Sequence, residues 1–241
     1  MTELVARKPY TYYLSQSKLW MVQNIRIIFF LIGIVITLVT FEEVYDDIFD
    51  DIPKGDLEAQ IFDQNVKSYI ASIQNSFTGE IMRDVTALGS VTVMGIFFFI
   101  IAAALRNLKQ FKTLFYQLVV FIGAGGLPFI LKMIFNRPRP ESEAWLTEVY
   151  TSSFPSGHSF AAASVYLSFA FIFSRFAKSW RQEVFYYLLS FLIIFAVGFS
   201  RIYLQVHYTT DVIAGVSLGI AWTLLLSLIY EFSNRQIIPK P

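Results

Sequence analysis

The sequence predicts an all-α membrane protein: a six-transmembrane helix bundle with an extra amphipathic interfacial helix between spans 1 and 2. Of the 241 residues, 55% are hydrophobic and only 15% are charged, and the mean hydropathy is +0.54. Soluble domains carry about 25% charged residues, and a soluble domain of this size has too little interior to hide so much apolar surface. Six long apolar runs predict the six membrane-spanning helices. A helical periodicity of apolar residues between the first two runs predicts the additional amphipathic helix.

Each predicted span is an apolar run close to the roughly 20 residues that cross the hydrocarbon core of a bilayer. The first span is short, and the third carries a charged residue, Lys132, in its last turn. The spans are Ile25–Phe41, Val85–Leu105, Leu114–Phe135, His158–Ser174, Val184–Tyr203 and Thr209–Tyr230. No internal repeat or low-complexity linker interrupts them, so we expect a single integral-membrane domain over residues 1–241.

The distribution of Lys and Arg predicts the orientation, because the cytoplasmic loops of membrane proteins carry an excess of positive charge. Six spans place both termini on one side, which holds 12 of the 19 basic residues: Arg7, Lys8, Lys18, Arg26, Arg106, Lys109, Lys112, Arg175, Lys178, Arg181, Arg235 and Lys240. The opposite side holds Lys54, Lys67, Arg83, Lys132, Arg137, Arg139 and Arg201. We therefore expect a multi-pass protein of the cytoplasmic membrane, with residues 1–24 and 231–241 in the cytoplasm.

The one long connection, residues 42–84, is predicted to lie on the outer face and to contain an amphipathic helix. Its apolar residues recur at spacings of three and four, the helical period: Leu57, Ile61, Phe62, Val66, Tyr69, Ile70, Ile73 and Phe77. Such a helix either lies on the membrane surface or packs on the ends of the spans. The acidic run before it is interpreted as a solvated loop: Glu42, Glu43, Asp46, Asp47, Asp50 and Asp51.

Composition excludes several classes of function. The chain has no cysteine, which rules out disulfides, thiolate metal sites and cysteine nucleophiles. Two histidines in the whole chain argue against a histidine-rich metal site, and we expect neither a metal nor another cofactor. A net charge of +1 argues against nucleic-acid binding, which calls for a basic surface. Nothing in the sequence indicates an oligomeric state.

The candidate functional residues lie in three segments that all belong to the outer side. Charged residues at or within a membrane are costly and default to a functional role. The first segment leaves the third span, the second enters the fourth, and the third joins the fifth to the sixth. Together they hold three cations, both histidines, one carboxylate and a Ser-Gly pair at a helix start: Lys132, Arg139, Arg201, His158, His207, Asp211, Ser156 and Gly157.

These residue types point to chemistry on a phosphate. A helix start offers backbone N–H groups and a positive dipole end to an anion, and glycine allows close approach. Arginine binds phosphate oxygens in a bidentate manner. Asp211, four residues after His207, is within helical reach of it and can hold one ring nitrogen, which leaves the other as nucleophile or base. His158 fits a general acid that protonates the leaving oxygen and later a base that activates water.

The same segments resemble the type 2 phosphatidic acid phosphatase superfamily, which includes lipid phosphate phosphatases and vanadium haloperoxidases. The pattern is Lys, six residues, Arg-Pro, here Lys132 to Arg139-Pro140; then Pro-Ser-Gly-His, here Pro155–His158; then Ser-Arg, five residues, His, three residues, Asp, here Ser200-Arg201, His207 and Asp211. Every position of the pattern is filled. The three-part match in fixed order is specific, whereas Pro-Ser-Gly-His alone is a weak indication.

The resemblance implies a metal-free phosphatase that acts on a lipid phosphomonoester or diphosphate through a phosphohistidine intermediate at the outer face. It implies that His207 is the nucleophile, oriented by Asp211, and that His158 is the acid–base. The implied phosphate ligands are Lys132, Arg139, Ser156, Gly157 and Arg201. Candidate substrates are phosphatidylglycerophosphate, undecaprenyl diphosphate, phosphatidate and a lipid A phosphate.

Two other functions fit parts of the pattern. A non-catalytic lipid-phosphate binding or scaffold protein would keep the fold, although the complete set of His158, His207 and Asp211 speaks against it. A vanadate-dependent oxidase would share the anion site, although the six spans speak against that class, whose members are soluble. Arg137 lies outside the pattern and either rims the site or lies at the membrane interface.

Overall fold

The computed structural model describes residues 10–49, 58–140 and 151–234, with side chains from residue 24 onward. These ranges contain eight α-helices and no strand: α1 Tyr10–Phe49, α2 Glu58–Ile73, α3 Ser76–Ala87, α4 Val91–Asn107, α5 Phe111–Phe135, α6 Gly157–Ser174, α7 Trp180–Tyr203 and α8 Thr209–Ser233. Residues named above that lie outside the described ranges are Arg7, Lys8, Asp50, Asp51, Lys54, Leu57, Arg235 and Lys240.

Four predicted spans coincide with α5, α6, α7 and α8 to within a few residues at each end. Within the described ranges, five helices are long and apolar enough to cross a membrane: these four and the part of α1 from Asn24 to Phe49. The number becomes six if α3 and α4 together form one bent span. The all-α class of the chain and its several membrane-spanning helices are therefore confirmed.

The predicted second span, Val85–Leu105, is wrong as one straight helix. Its residues belong to α3 and α4, whose axes differ by 41° across a short break. Ser90 begins the new helix, since its Oγ accepts a hydrogen bond from the Val93 N–H at 3.2 Å. Gly89 lets the break approach α6, because a Cβ there would lie 3.2 Å from the Cβ of His158.

The interpretation of the acidic run as a loop is wrong over its described part. Helix α1 continues past Phe41 to Phe49, with Glu42, Glu43, Asp46 and Asp47 exposed on its surface. Phe41, Tyr45 and Phe49 recur every four residues on one face, and their rings contact those of Phe135 and Phe154 with centroids 5.3–6.4 Å apart. Aromatic packing of this kind stabilises the helix beyond Phe41, where the apolar run ends and where the sequence predicts the end of the span.

Helix α2 is the predicted amphipathic helix, but the face that it buries differs from the predicted apolar stripe. It contacts α1, α7 and α8, and its buried residues are Ala59, Asp63 and Ile70. Most of the predicted stripe is exposed: Ile61, Phe62, Tyr69, Ile73 and, in α3, Phe77. The helix thus packs on the ends of other helices through a narrow face that contains an acid.

Helix α6 lies at the centre of the bundle, with 83% of its residues buried. It packs most closely on α8, where glycines remove the side chains that would keep the backbones apart. A Cβ at Gly215 would lie 2.5 Å from the carbonyl oxygen of Ser156, and one at Gly219 would lie 2.5 Å from that of Phe160. This contact holds the N-terminal ends of α6 and α8 side by side.

We expect Gly219→Ala to lower the melting temperature of the detergent-solubilised protein. The added methyl meets the backbone of α6, which has no freedom to yield, and overpacking of this kind costs about 1–3 kcal/mol. Gly126→Ala is the matched control, since no atom lies within 4 Å of a Cβ at that helical position. Alanine favours a helix over glycine by about 1 kcal/mol, so equal melting of the two variants would contradict the close α6–α8 contact.

Candidate active site

The candidate site residues converge at one end of the bundle, although they come from three separate segments. Lys132 lies in the last turn of α5, and Arg201 in the last turn of α7. Ser156 precedes α6, and Asp211 lies in the first turn of α8. The four helices alternate in direction, so two C-terminal ends and two N-terminal ends meet here.

His207 and Asp211 are in contact, but not as neighbours on one helix. His207 precedes α8, which begins at Thr209. Asp211 reaches back, its Oδ2 accepts the N–H of Tyr208 at 3.0 Å, and the same oxygen lies 3.4 Å from His207 Nδ1. The last distance is long, and Nδ1 completes no hydrogen bond of good geometry among the described residues. Capping of α8, rather than a helical spacing of four, brings the two together.

Arg139 favours one tautomer of His207. Its Nη1 lies 3.2 Å from His207 Nε2, and a guanidinium has no acceptor to offer. Nε2 therefore carries the lone pair, and the proton of the neutral ring is on Nδ1, toward Asp211. In this arrangement the lone pair of Nε2 faces a guanidinium.

The three cations are held by groups of the protein around the same point. Lys132 Nζ donates to the carbonyl oxygens of Ser152 and Ser153. Arg139 Nε donates to the Thr151 carbonyl at 2.6 Å. Arg201 Nη1 donates to Thr86 Oγ1 at 3.0 Å, whereas its Nε is buried and has no acceptor among the described residues. A buried donor without an acceptor is costly, and it is available to an anion.

The Ser-Gly-His segment forms the start of α6, as predicted. The Ser156 N–H donates to the Asp211 carbonyl at 2.9 Å, which ties this start to α8, and Ser156 Oγ pairs with Ser159 Oγ at 2.9 Å. A Cβ at Gly157 would lie 3.7 Å from Lys132 Cε, so the open side of this glycine faces the lysine. The free N–H groups of the first turn thus lie beside a cation.

The electrostatics of the site favour a neutral His207 ring. Burial lowers the pKa of His207 well below its usual 6.5, and the charges of Arg201, Arg139, Lys132 and His158 lower it further. Burial also lowers the pKa of Arg139 to about 10, which leaves the guanidinium charged at neutral pH.

Across the described ranges, no cluster of three or more His, Asp or Glu side chains could hold a metal ion. The positive charge in the site comes from side chains of the protein.

Asp63 and Thr210 belong to the site region and were not predicted as site residues, and Arg137, whose place the sequence left open, lies with them. Arg137 Nη1 donates to Asp211 Oδ1 at 2.6 Å, and its Nη2 donates to Asp63 Oδ2 at 3.1 Å. Arg137 therefore binds Asp211, the acid nearest to His207. The spacing of Ala59, Asp63, Val66 and Ile70 is itself helical, and this second stripe was the available sign that Asp63 faces inward.

A cavity of about 590 Å³ lies beside Arg137. It opens between the C-terminal end of α1, helix α2 and the segment that follows α5. Its walls mix aromatic, amide and charged groups, among them Phe49, Gln60, Gln64, Asn136, Arg137 and Tyr208. A cavity with both apolar and hydrogen-bonding walls suits a polar headgroup attached to a lipid.

Comparison with known proteins agrees with this geometry. Residues 113–235, which contain all three motif segments, match the family model of the PAP2 superfamily. The chain is 32% identical over 179 residues to phosphatidylglycerophosphatase B of Bacillus subtilis, which covers 73% of this chain and 85% of the relative. It is 27% identical over 124 residues to a lipid A 1-phosphatase of Rhizobium etli, covering 48% of this chain and 49% of that one.

Two solved structures share the fold. The crystal structure of a transmembrane PAP2-type phosphatidylglycerolphosphate phosphatase from Bacillus subtilis superposes with a TM-score of 0.76 at 27% identity, covering 85% of this chain and 98% of that one. The crystal structure of LpxE from Aquifex aeolicus superposes with a TM-score of 0.54 at 22% identity, covering 68% and 93%. At that identity the second likeness concerns the fold alone.

We expect nitrogen-15 NMR of histidine-labelled protein to show His207 neutral, with its proton on Nδ1, at pH 7 and still at pH 6. Burial and three cations keep the proton off Nε2. Because the pKa of His207 is lowered, protonation is expected only below the pH range where a free histidine titrates. The chain has two histidines, so a His158→Gln variant assigns the spectrum. A His207 ring charged at pH 6.5 would contradict the geometry.

Proposed function

Since the chain belongs to the PAP2 superfamily, and is therefore a membrane hydrolase of phosphoric ester bonds, we propose that it cleaves a lipid phosphomonoester or diphosphate through a phosphohistidine intermediate on His207. The observation that carries the proposal is the pair of contacts of the His207 ring. Nδ1 faces Asp211 at 3.4 Å and Nε2 faces Arg139 at 3.2 Å. One nitrogen is oriented by a carboxylate, and the other points to a phosphate-binding cation.

In the first step, Lys132, Arg139 and Arg201 bind the phosphoryl oxygens together with the N–H groups at the start of α6. The Nε2 lone pair of His207 attacks phosphorus, and the bond from phosphorus to the lipid oxygen breaks. His158 donates its proton to that oxygen, which leaves as an alcohol or, from a diphosphate, as a phosphate. Asp211 stabilises the positive charge that develops on the imidazole.

In the second step, a water molecule replaces the lipid. His158, now neutral, takes a proton from the water, whose oxygen attacks the phosphorus of phosphohistidine. The P–N bond breaks, inorganic phosphate leaves, and the Nε2 lone pair returns. The three cations neutralise the phosphoryl charge in both steps, so the scheme uses no metal.

We place the site at the outer edge of the cytoplasmic membrane, with both termini in the cytoplasm. The opposite end of the bundle holds six basic residues, in the connections between α4 and α5 and between α6 and α7 and in the adjoining helical turns: Arg106, Lys109, Lys112, Arg175, Lys178 and Arg181. This distribution satisfies the rule that positive loops stay inside. The exposed apolar face of α2, with Ile61, Phe62 and Tyr69, then rests on the outer membrane surface. In this arrangement α3 and α4 together make the second of six spans.

For the substrate we propose phosphatidylglycerophosphate first, since one relative is a phosphatidylglycerophosphatase and its chain is covered over 85%. A lipid A phosphate is the second candidate, because other relatives are lipid A 1-phosphatases. Undecaprenyl diphosphate and phosphatidate complete the set. In each case the acyl or prenyl chain stays in the bilayer while the phosphate reaches the site at its edge.

We expect His207→Ala to abolish phosphate release by purified protein from every lipid of this set, by more than about a thousandfold. His158→Ala should also fail on lipids, but should still release a burst of about one p-nitrophenol per protein from p-nitrophenyl phosphate, whose leaving group needs no proton, before the slow hydrolysis of phosphohistidine. Wild-type protein quenched with labelled substrate should carry acid-labile phosphate on His207. A chelator should leave the rate unchanged.

Three outcomes of this experiment would count against the proposal. Turnover that persists in His207→Ala would defeat the phosphohistidine scheme. A chelator-sensitive rate restored by a divalent ion would defeat its metal-free chemistry. Binding of the lipids without any phosphate release by folded wild-type protein would favour the alternative, a non-catalytic lipid-phosphate binding or scaffold protein.

We expect single cysteines to report the orientation, since the natural chain contains none. On intact cells, a membrane-impermeant maleimide should label Glu58→Cys at the start of α2 and leave Lys178→Cys unlabelled until the membrane is permeabilised. Both side chains are exposed on the surface of the protein, so a difference in labelling reports the side of the membrane on which each residue lies. The reverse pattern would contradict the proposed sidedness without affecting the chemistry.

A further inference from the structure

Asp63 is a buried acid on α2, far in sequence from every motif. Its side chain is 2% exposed. Oδ1 accepts the backbone N–H of Thr210 at 3.0 Å, and Oδ2 accepts the Thr210 hydroxyl at 2.5 Å and Arg137 Nη2 at 3.1 Å. Asp63 thus binds both the first turn of α8 and the arginine that pairs with Asp211.

Arg137 transmits this contact to the histidine. Its guanidinium is 9% exposed, lies 4.4 Å from the centre of the Tyr208 ring, and joins Asp63 to Asp211 Oδ1. The other oxygen of Asp211 faces His207. Three charged groups therefore lead from α2 to the neutral ring of the proposed nucleophile, His207: Asp63, Arg137 and Asp211.

Helix α2 also holds the segment that carries His207. The Gln205 amide donates to the Lys67 carbonyl at 2.9 Å, and the Gln74 amide donates to the Tyr203 carbonyl at 2.5 Å. Both contacts lie within four residues of His207. The segment between α7 and α8 is thus attached to α2 at Lys67 and to α8 through Asp211, and the last residue of α7 is attached to Gln74, which directly follows α2.

Attachment of α2 to the bundle does not require the charges of Asp63, Arg137 and Asp211. An ion pair buried in a protein gains little stability over apolar side chains of the same size, because the charges lose their hydration. The best-supported role of such groups is to select one arrangement among several. Asp63 and Asp211 share a single arginine, so the position of the guanidinium, and with it the orientation of the Asp211 carboxylate, depends on both acids.

We propose that Asp63 is a positioning residue for the reaction: through Arg137 it holds the Asp211 carboxylate in the orientation that keeps the His207 proton on Nδ1. This inference rests on the proposed function of His207 as nucleophile. Helix α2, which connects α1 to α3 and carries no family motif, thereby has a part in the chemistry. Without Asp63, the guanidinium turns toward Asp211 alone and competes with His207 for the same carboxylate.

The test compares Asp63→Asn with Glu58→Gln in detergent-purified full-length protein. Both variants remove one negative charge from α2, but Glu58 is exposed and lies outside the chain of contacts. We expect Asp63→Asn to lower kcat by about tenfold to a hundredfold, the usual effect of losing a partner of a reactive group, with KM nearly unchanged. Its His207 should show a mixture of the two neutral tautomers by nitrogen-15 NMR. Glu58→Gln should match the wild type in both.

A double-mutant cycle separates this role from a general loss of packing. If Asp63 acts through Arg137, then Asp63→Asn combined with Arg137→Gln should lose no more kcat than Arg137→Gln alone. Additive losses would overturn the proposal, as would an Asp63→Asn protein with wild-type kcat and tautomer. Should Asp63→Asn fail to fold, Arg137→Gln tests the chain from its middle, and a wild-type tautomer there would overturn it equally.

The two proposals fail separately. If wild-type protein releases no phosphate from any lipid, the proposed function is lost, but the tautomer of His207 in the variants still decides what Asp63 does. If wild-type protein is active and Asp63→Asn behaves like Glu58→Gln, only the role of Asp63 is lost.

Discussion

The carboxylate of Asp211 is fully buried, and most of the site is arranged around the need to satisfy it. A buried charge without partners is far too costly to persist. One oxygen caps α8 at Tyr208 and faces His207, and the other binds Arg137. The Asp211 carbonyl accepts the N–H of Ser156. One residue thereby connects the start of α6, the start of α8, the histidine and α2.

The bilayer explains why so many charges gather at one end of the bundle. Charged groups are tolerated at the ends of membrane helices and not at their centres, and helix starts there supply N–H groups that an anion needs. Close packing of α6 on α8 at Gly215 and Gly219 brings two such starts together. The same small residues that allow helices to associate in lipid therefore also bring the starts of α6 and α8 together.

Much of the fold and of the site could be predicted because each depended on local patterns. Apolar length predicted α5 to α8, and the three motifs predicted residues that the structure gathers around His207. The break at Gly89 and Ser90 was missed because both residues also occur inside membrane helices. The extension of α1 to Phe49 was missed because the acidic residues there suggested a loop. The aromatic residues between them recur every four positions, but their packing partners, Phe135 and Phe154, are distant in sequence.

The sequence by itself determined the helical class, the membrane environment and the set of residue types that can bind and cleave a phosphate ester. These follow from composition, run length and motif spacing, which are properties of neighbouring residues. Only the tertiary structure decided that Arg137 binds Asp211, that α2 turns Asp63 inward, and which His207 nitrogen faces Arg139. Those contacts join residues up to about 147 positions apart, and a contact at such separation depends on how the helices pack, which no local pattern encodes.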